Sequence, residues 1–361
     1  MSPTPLSDSD SLAALAARLA TAPYVALDTE FLRERTYRPQ LCLLQLASPG
    51  EACCVDPLAS VSLETLAPVL AASSAPKILH AARQDLEVLW PLFGAVAPVF
   101  DTQVAAALCG MPAQIGYSEL VRRVLGVELN KAETRTDWSK RPLSDAQLRY
   151  AIDDVIHLGA LRDALSEELD KLGRMAWLDE ELHDLAREDR LFVDPEKAVE
   201  RLRWSAELDP DRARLAQRLA AWRERRAADK DRPRSWILDD AGLRALVLRA
   251  PRSVSDLAGL EELTPGFREH SGSTILELIA AADLPAQLPP LAQRPRPDAE
   301  AQAHLKHLAG IVQKKATELG LAAELLATRR ELESIARGET TAEVLRGWRR
   351  EAVGAALLAA A

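Results

Sequence analysis

Strand signals crowd one end of this 361-residue chain and are missing from the rest. Tyr24–Asp28 (YVALD) is a compact apolar run ending in an acid. Leu41–Ala47 (LCLLQLA) and Ala52–Asp56 (ACCVD) are two more strand candidates, and Lys77–His80 (KILH) is a short fourth. Helical periodicity is interleaved with these runs over Ser11–Ala20, Leu63–Ala72, Arg83–Phe93, Thr102–Cys109, Ser118–Leu125 and Ser144–Leu169. Strands first, with helices interleaved and then dominating, predict an α/β or α+β domain built on a mixed sheet.

From about Met175 onward the patterning is helical throughout. Met175–Arg190 reads as a connecting helix; Pro210–Ala228, Ala241–Leu248, Ser253–Ala258 and Ser273–Ala281 form one small helical group. Leu284–Asp298 (LPAQLPPLAQRPRPD) reads as a linker, because proline removes a helix donor and favours extended backbone. Ala299–Leu319, Ala322–Arg337 and Thr341–Ala360 form a second helical group. The expected organisation is an α/β domain over 1–175, a connecting helix over 176–209, a helical domain over 210–283, a Pro-rich linker over 284–298 and a second helical domain over 299–361.

A hydrophobic content of 48% is enough for real cores, but aromatics are only 4%, so Leu, Ala and Val must fill them. A net charge of −9 argues against a basic coat for nucleic acid along the whole chain, and leaves room for a local basic face. Arginines do crowd the start of the first helical group, from Arg201 to Arg234, and cluster again between Arg329 and Arg350. Cys42, Cys53, Cys54 and Cys109 show neither C-x-x-C nor zinc spacing and read as free thiols in a reducing compartment. The first residues lack the charged and apolar regions of a signal peptide, and no apolar run reaches the ~18–20 residues that span a bilayer. The expectation is a soluble, cytoplasmic monomer with no membrane partner.

Acids stand at telling positions in the first domain. Asp28-Thr29-Glu30 follows the first strand, and residues i and i+2 of a strand share a face, so both carboxylates can reach one cation. Asp85 opens a helix, where an acid also satisfies the helix dipole. Tyr150 and Asp154 are four apart on a helix and share a face, whereas Asp153 lies about 100° away. Each taken alone has a plain structural reading. As an ordered set they are what hydrolysis of a phosphodiester asks for, since hard divalent ions take carboxylate oxygens.

At this point the sequence resembles the DEDD superfamily of 3′→5′ exonucleases. Asp28-Thr29-Glu30-Phe31 matches its first motif, Asp85 its second, and Tyr150 through Asp154 its third. The sister subclass carries His five residues before the last Asp; here that residue is Arg149, so the tyrosine subclass fits. Trp138-Ser-Lys-Arg-Pro-Leu-Ser144 and two C-terminal groups similar to HRDC modules resemble ribonuclease D in particular. The resemblance implies a ribonuclease H-like α/β exonuclease domain followed by two small all-α domains. It also implies two divalent ions, Mg²⁺ or Mn²⁺, held by Asp28, Glu30, Asp85 and Asp154, with Asp28 bridging them and Tyr150 orienting the attacking water. The implied substrate is RNA with a single-stranded 3′ end, tRNA precursors among them, and the product is nucleoside 5′-monophosphate. A DNA exonuclease with the same acids is the alternative.

Five further residues are candidates for holding substrate. Phe31 and Leu32 could pack against terminal bases or belong to the core. His80 reads either as a substrate contact or as a strand-end residue bonded internally. Arg83 and Gln84 stand beside Asp85, within reach of a phosphate or sugar. Crowded carboxylates repel when no metal is bound, so raised pKa values are expected among the acids.

Overall fold

The run YVALD opens a longer strand than its apolar pattern suggested. β1 spans Val25–Leu32, so Asp28 and Glu30 lie inside it and not at its end. Val25, Ala26 and Leu27 are wholly buried and fix its N-terminal half. β2 (Gln40–Ser48) and β3 (Glu51–Val55) pair antiparallel, with Leu44 opposite Val55. β4 (Lys77–Leu79) and β5 (Val99–Asp101) are parallel additions, β4 to β1 and β5 to β4. The mixed sheet runs β3-β2-β1-β4-β5, which leaves β1 in the middle. The fold class is the one the sequence predicts. β5 was not foreseen, because Val-Phe-Asp is too short to display an alternation.

The computed structural model describes residues 4–59, 61–71, 75–129, 136–281 and 298–361. Most of the expected Pro-rich linker lies outside the described residues. Helices flank the sheet: α1 (Ser9–Leu19), α2 (Arg83–Phe93), α3 (Thr102–Leu108), α4 (Tyr117–Leu125), α5 (Asp145–Ile156), α6 (Leu158–Leu172) and α7 (Met175–Leu185). The single helix expected over Ser144–Leu169 is two, parted at His157. The parting lies beside Gly159, where an added Cβ would fall 2.2 Å from the phenol oxygen of Tyr24. Met175–Arg190, expected as one helix, ends at Leu185 and is followed by a short helix at Glu188–Leu191.

The longer of the remaining helices are α8 (Pro210–Lys230), α9 (Asp240–Arg249), α10 (Pro265–Ala280), α11 (Ala299–Leu319) and α12 (Arg329–Ala336), with a last helical stretch from Gly347 to Ala360. α10 starts earlier than the expected Ser273, capped by the Thr264 hydroxyl on the Phe267 amide with Pro265 at its first turn. Among the described residues no helix is long and apolar enough to cross a membrane.

The chain gathers into two units that do not follow its order. One comprises Met1–Leu32, Leu41–Leu191 and Pro297–Ala361; the other comprises Arg33–Gln40 and Phe192–Arg296. In the first unit one continuous apolar core runs from Ala26 and Ile78 through Leu161 and Leu165 to Leu308, Val312, Trp348 and Leu357, beside a smaller cluster around Cys42, Trp138 and Leu148. The second helical group thus completes the core of the sheet-bearing unit. In the other unit Leu219, Leu243, Leu246 and Ile275 form a separate core.

Trp348 is the fastener of the C-terminal group. It is buried, stacks on Trp177 at 4.5 Å between ring centroids, and donates its indole N–H to Glu181 at 2.7 Å. Its backbone N–H reaches Glu180 at 2.9 Å, and Arg349 bonds Glu181 as well. Trp348→Ala removes the stack and leaves Glu181 short of a donor. It should cost about 3–5 kcal/mol and lower the melting temperature by on the order of 10 °C by calorimetry. An unshifted transition would mean that the C-terminal helices are not fastened there.

Candidate active site

Three elements bring the acids together. β1 supplies Asp28 and Glu30. Asp85 sits in the first turn of α2 and is buried. α5 supplies Tyr150 and Asp154, and starts at a capping box in which Ser144 and Gln147 bond each other's backbone N–H at 3.2 and 2.7 Å. One carboxylate oxygen from each of Asp28, Glu30 and Asp154 lies within 4.8 Å of the others. The Asp85 carboxylate accepts a 2.5 Å bond from the Thr29 hydroxyl, which ties α2 to the strand between the two β1 acids.

The turn into α2 depends on an acid that the sequence did not mark. Ala81 is left-handed at φ 57, a conformation that costs a non-glycine residue roughly 1–2 kcal/mol. Buried Asp101 holds it there, accepting from the Ala81 and Ala82 amides at 3.0 and 2.8 Å. The same carboxylate caps α3 through the Gln103 amide at 2.8 Å. Asp101 is the last residue of the unforeseen β5, so its structural role had no visible signal in the sequence.

Tyr150 is positioned by the segment that carried the specific resemblance. Buried Trp138 lies 6.2 Å from the Tyr150 ring, centroid to centroid. Arg141 pins that segment to the sheet, with two bonds to Asp56 at 2.6 and 2.7 Å and one to the Cys42 carbonyl at 2.6 Å. The Tyr150 phenol lies close enough to the Asp154 carboxylate for each to shift the other's titration.

The electrostatics follow from burial more than from crowding. Burial first, then Asp85, Asp154 and Glu30, raise the Asp28 carboxyl well above its ordinary value. Burial, with Asp154 and Asp85 behind it, pushes Glu30 up to about 8. Burial also lifts Asp85 and Asp154 to about 7, against the lowering effect of the Thr29 and Tyr150 hydroxyls respectively. The expected upward shifts are present, with desolvation and not repulsion as the larger cause. Burial and the nearby Asp154 raise the Tyr150 phenol too, so it stays protonated at neutral pH.

The substrate candidates fare unevenly. Phe31 and Leu32 continue β1 and are half-buried, and Leu32 packs against the cluster of Cys42, Trp138 and Leu148. His80 uses both ring nitrogens internally, Nδ1 with the Thr102 hydroxyl at 2.9 Å and Nε2 with the Ile115 carbonyl at 3.0 Å. That is the plainer of its two readings, and it leaves no nitrogen for a ligand. Arg83 is exposed and donates to the Arg190 carbonyl at 2.8 Å, and Gln84 is exposed beside it. Tyr117, not singled out from the sequence, donates to the Asp153 carbonyl at 3.0 Å and so holds the turn that carries Asp154.

Comparison with known proteins bears on the same elements. Residues 3–170 match the 3′-5′ exonuclease family and residues 212–279 match the HRDC domain. A protein named ribonuclease D from Jannaschia sp. is 42% identical over 98% of this chain and 94% of its own length. Another, from Nitrobacter hamburgensis, is 39% identical over 96% of this chain and 92% of its own. The crystal structure of Escherichia coli RNase D superposes with a TM-score of 0.89 at 30% identity, covering 100% of this chain and 98% of that one. With its exonuclease sheet, its HRDC domain and relatives matched end to end, the chain belongs to the ribonuclease D family of 3′-5′ exonucleases.

Proposed function

We propose that this chain removes nucleotides one at a time from the 3′ end of RNA, releasing nucleoside 5′-monophosphates. Two divalent cations, Mg²⁺ or Mn²⁺, would be held by Asp28, Glu30, Asp85 and Asp154. The observation that carries this reading is the trio of carboxylate oxygens from Asp28, Glu30 and Asp154 within 4.8 Å of one another. An all-oxygen, all-carboxylate donor set suits these hard ions. When bound, they supply charge neutralisation at the phosphate and acidify the attacking water.

The chain's own groups do the rest. Tyr150 remains a phenol beside Asp154, so it can orient water by hydrogen bonding but does not act as a base. Trp138 and the Arg141–Asp56 pair keep its ring in place. Phe31, Leu32, Arg83 and Gln84 border the acids in sequence and are assigned to the terminal nucleotide. RNA is favoured over DNA by the relatives, which are named ribonuclease D; the Escherichia coli protein is described as an exoribonuclease involved in structured RNA processing. Trimming of tRNA precursors by a cytoplasmic monomer is the cellular role this reading implies.

Asp28→Asn should lower mononucleotide release from 3′-extended tRNA by on the order of 10³-fold, or ~4 kcal/mol in the barrier, when products are resolved by chromatography with Mg²⁺ present. Wild-type release from single-stranded DNA should be much slower. Undiminished release by the variant would remove Asp28 from the mechanism.

The raised carboxyls also predict a pH signature. Without metal, Glu30 titrates at about 8 and Asp85 and Asp154 at about 7, against ~4 for the same groups in an unfolded chain. Between those values the folded state binds more protons than the unfolded one, so the metal-free protein loses stability as pH rises. Cations displace the same protons, so their binding strengthens as pH rises. The melting temperature of metal-free protein should fall between about pH 5 and about pH 8, and the rise produced by millimolar Mg²⁺ should be larger at the higher pH. An equal Mg²⁺ effect at both ends would contradict proton displacement.

A further inference from the structure

β2 lies between β1 and β3, and α5 packs across both of those strands. Leu41, Leu43, Gln45 and Ala47 share one face of β2 by strand alternation, and Gln45 is the polar member of that row. Its neighbours show which face this is. Leu43 clusters with Ala151 of α5, and Ala47 belongs with Val155 of the same helix to the larger core. Directly across the ladder from Gln45 stands Cys54, which joins the Ala151 cluster. Ala151 and Val155 are four apart and share a side of α5. Gln45 therefore lies beneath the turn of α5 that runs from Tyr150 to Asp154.

Gln45 is 0% exposed, and neither Oε1 nor Nε2 of its carboxamide has a hydrogen-bond partner among the described residues. An amide can donate two hydrogen bonds and accept two, and burying it with none made costs stability. Leu43, Ala47, Cys54, Ala151 and Val155 around it offer nothing beyond a thiol. An apolar side chain of the same size would suit the core better, so the amide serves something other than packing.

The acids share its face of the sheet. Ala26 of β1 belongs to the core of Ala47 and Val155, and Asp28 and Glu30 follow Ala26 in two-residue steps on the same side of the strand. Burial first, then Cys53 and Glu30, push the Cys54 thiol up to about 12, so the field of Glu30 extends to the residue opposite Gln45. A carboxamide N–H₂ so placed can donate to carboxylate oxygens that a cation leaves free. Such outer hydrogen bonds fix how a carboxylate points and raise the affinity of the cation it holds.

We propose that Gln45 is a positioning residue for the acidic site, its buried carboxamide donating to the carboxylates of Asp28 and Asp154 directly or across one buried water molecule. The proposal rests on the reading of these acids as a cation site and names a group that prepares them from the sheet side.

The test uses Gln45→Met and Gln45→Leu, which keep the bulk of the side chain and remove its hydrogen bonding. Mn²⁺ affinity is measured by isothermal titration calorimetry at fixed pH, and the melting temperature is measured on metal-free protein. Both variants should bind Mn²⁺ about 10- to 100-fold more weakly than wild type, while their metal-free melting temperatures stay level or rise. Wild-type Mn²⁺ affinity in either variant overturns the proposal. A fall of the metal-free melting temperature in both places the amide in the fold and not in the site, and overturns it too. Absence of Mn²⁺ binding by the wild type would instead strike the cation reading of the acids, which the variants do not test.

Discussion

The desolvation of carboxylates around one strand organises this molecule. β1 runs through the middle of the sheet and carries two acids where an ordinary central strand would carry apolar side chains. Buried carboxyls in a metal-free site are tolerated by holding protons, which is why the acids sit near neutrality and not near 4. Such a site costs stability when it is empty of cations and ionised, so the surrounding structure has to impose it. The imposition is visible in the Thr29–Asp85 bond, the capping box of α5, and the Trp138–Arg141 segment clamped to Asp56.

A second layer of restraint acts through residues outside the four acids. Asp101 accepts four backbone amides around the junction of β5, α2 and α3, and keeps Ala81 left-handed at the entry to the helix that bears Asp85. Tyr117 anchors the end of α5 through the Asp153 carbonyl. His80 ties the end of β4 to Thr102 and Ile115. These groups set the positions of the carboxylates by fixing the backbone that carries them.

What the sequence disclosed followed the range of the interaction involved. Asp28 and Glu30 were legible from the two-residue period of a strand, and Tyr150 with Asp154 from the four-residue period of a helix, because both patterns are local. The convergence of the Asp28, Glu30 and Asp154 oxygens was inferred only from the order of motifs; it is the fold that brings β1 and α5 together. β5 and the role of Asp101 were hidden, since a strand of three residues has no period and a capping acid resembles any surface acid. The division of Ser144–Leu169 into α5 and α6 was hidden as well, because Gly159 meets Tyr24, a residue far away in sequence. The helical groups were recognised individually, but their allocation was not: apolar stripes show that a helix packs without showing on what. Hence the C-terminal helices, read as a domain apart, join the core that holds Ile78 and Leu161.

That allocation has a consequence for how the molecule is made. The unit bearing the acids is written in separate stretches of the chain, with most of the other unit encoded between them. A ribosome delivers Val25 long before Trp348, so the sheet-bearing core must wait, partly uncovered, while the intervening helical unit is synthesised. Hydrophobic closure of this unit therefore waits for the stretch that carries Trp348, and a chain lacking that stretch has all four acids present and its core left open.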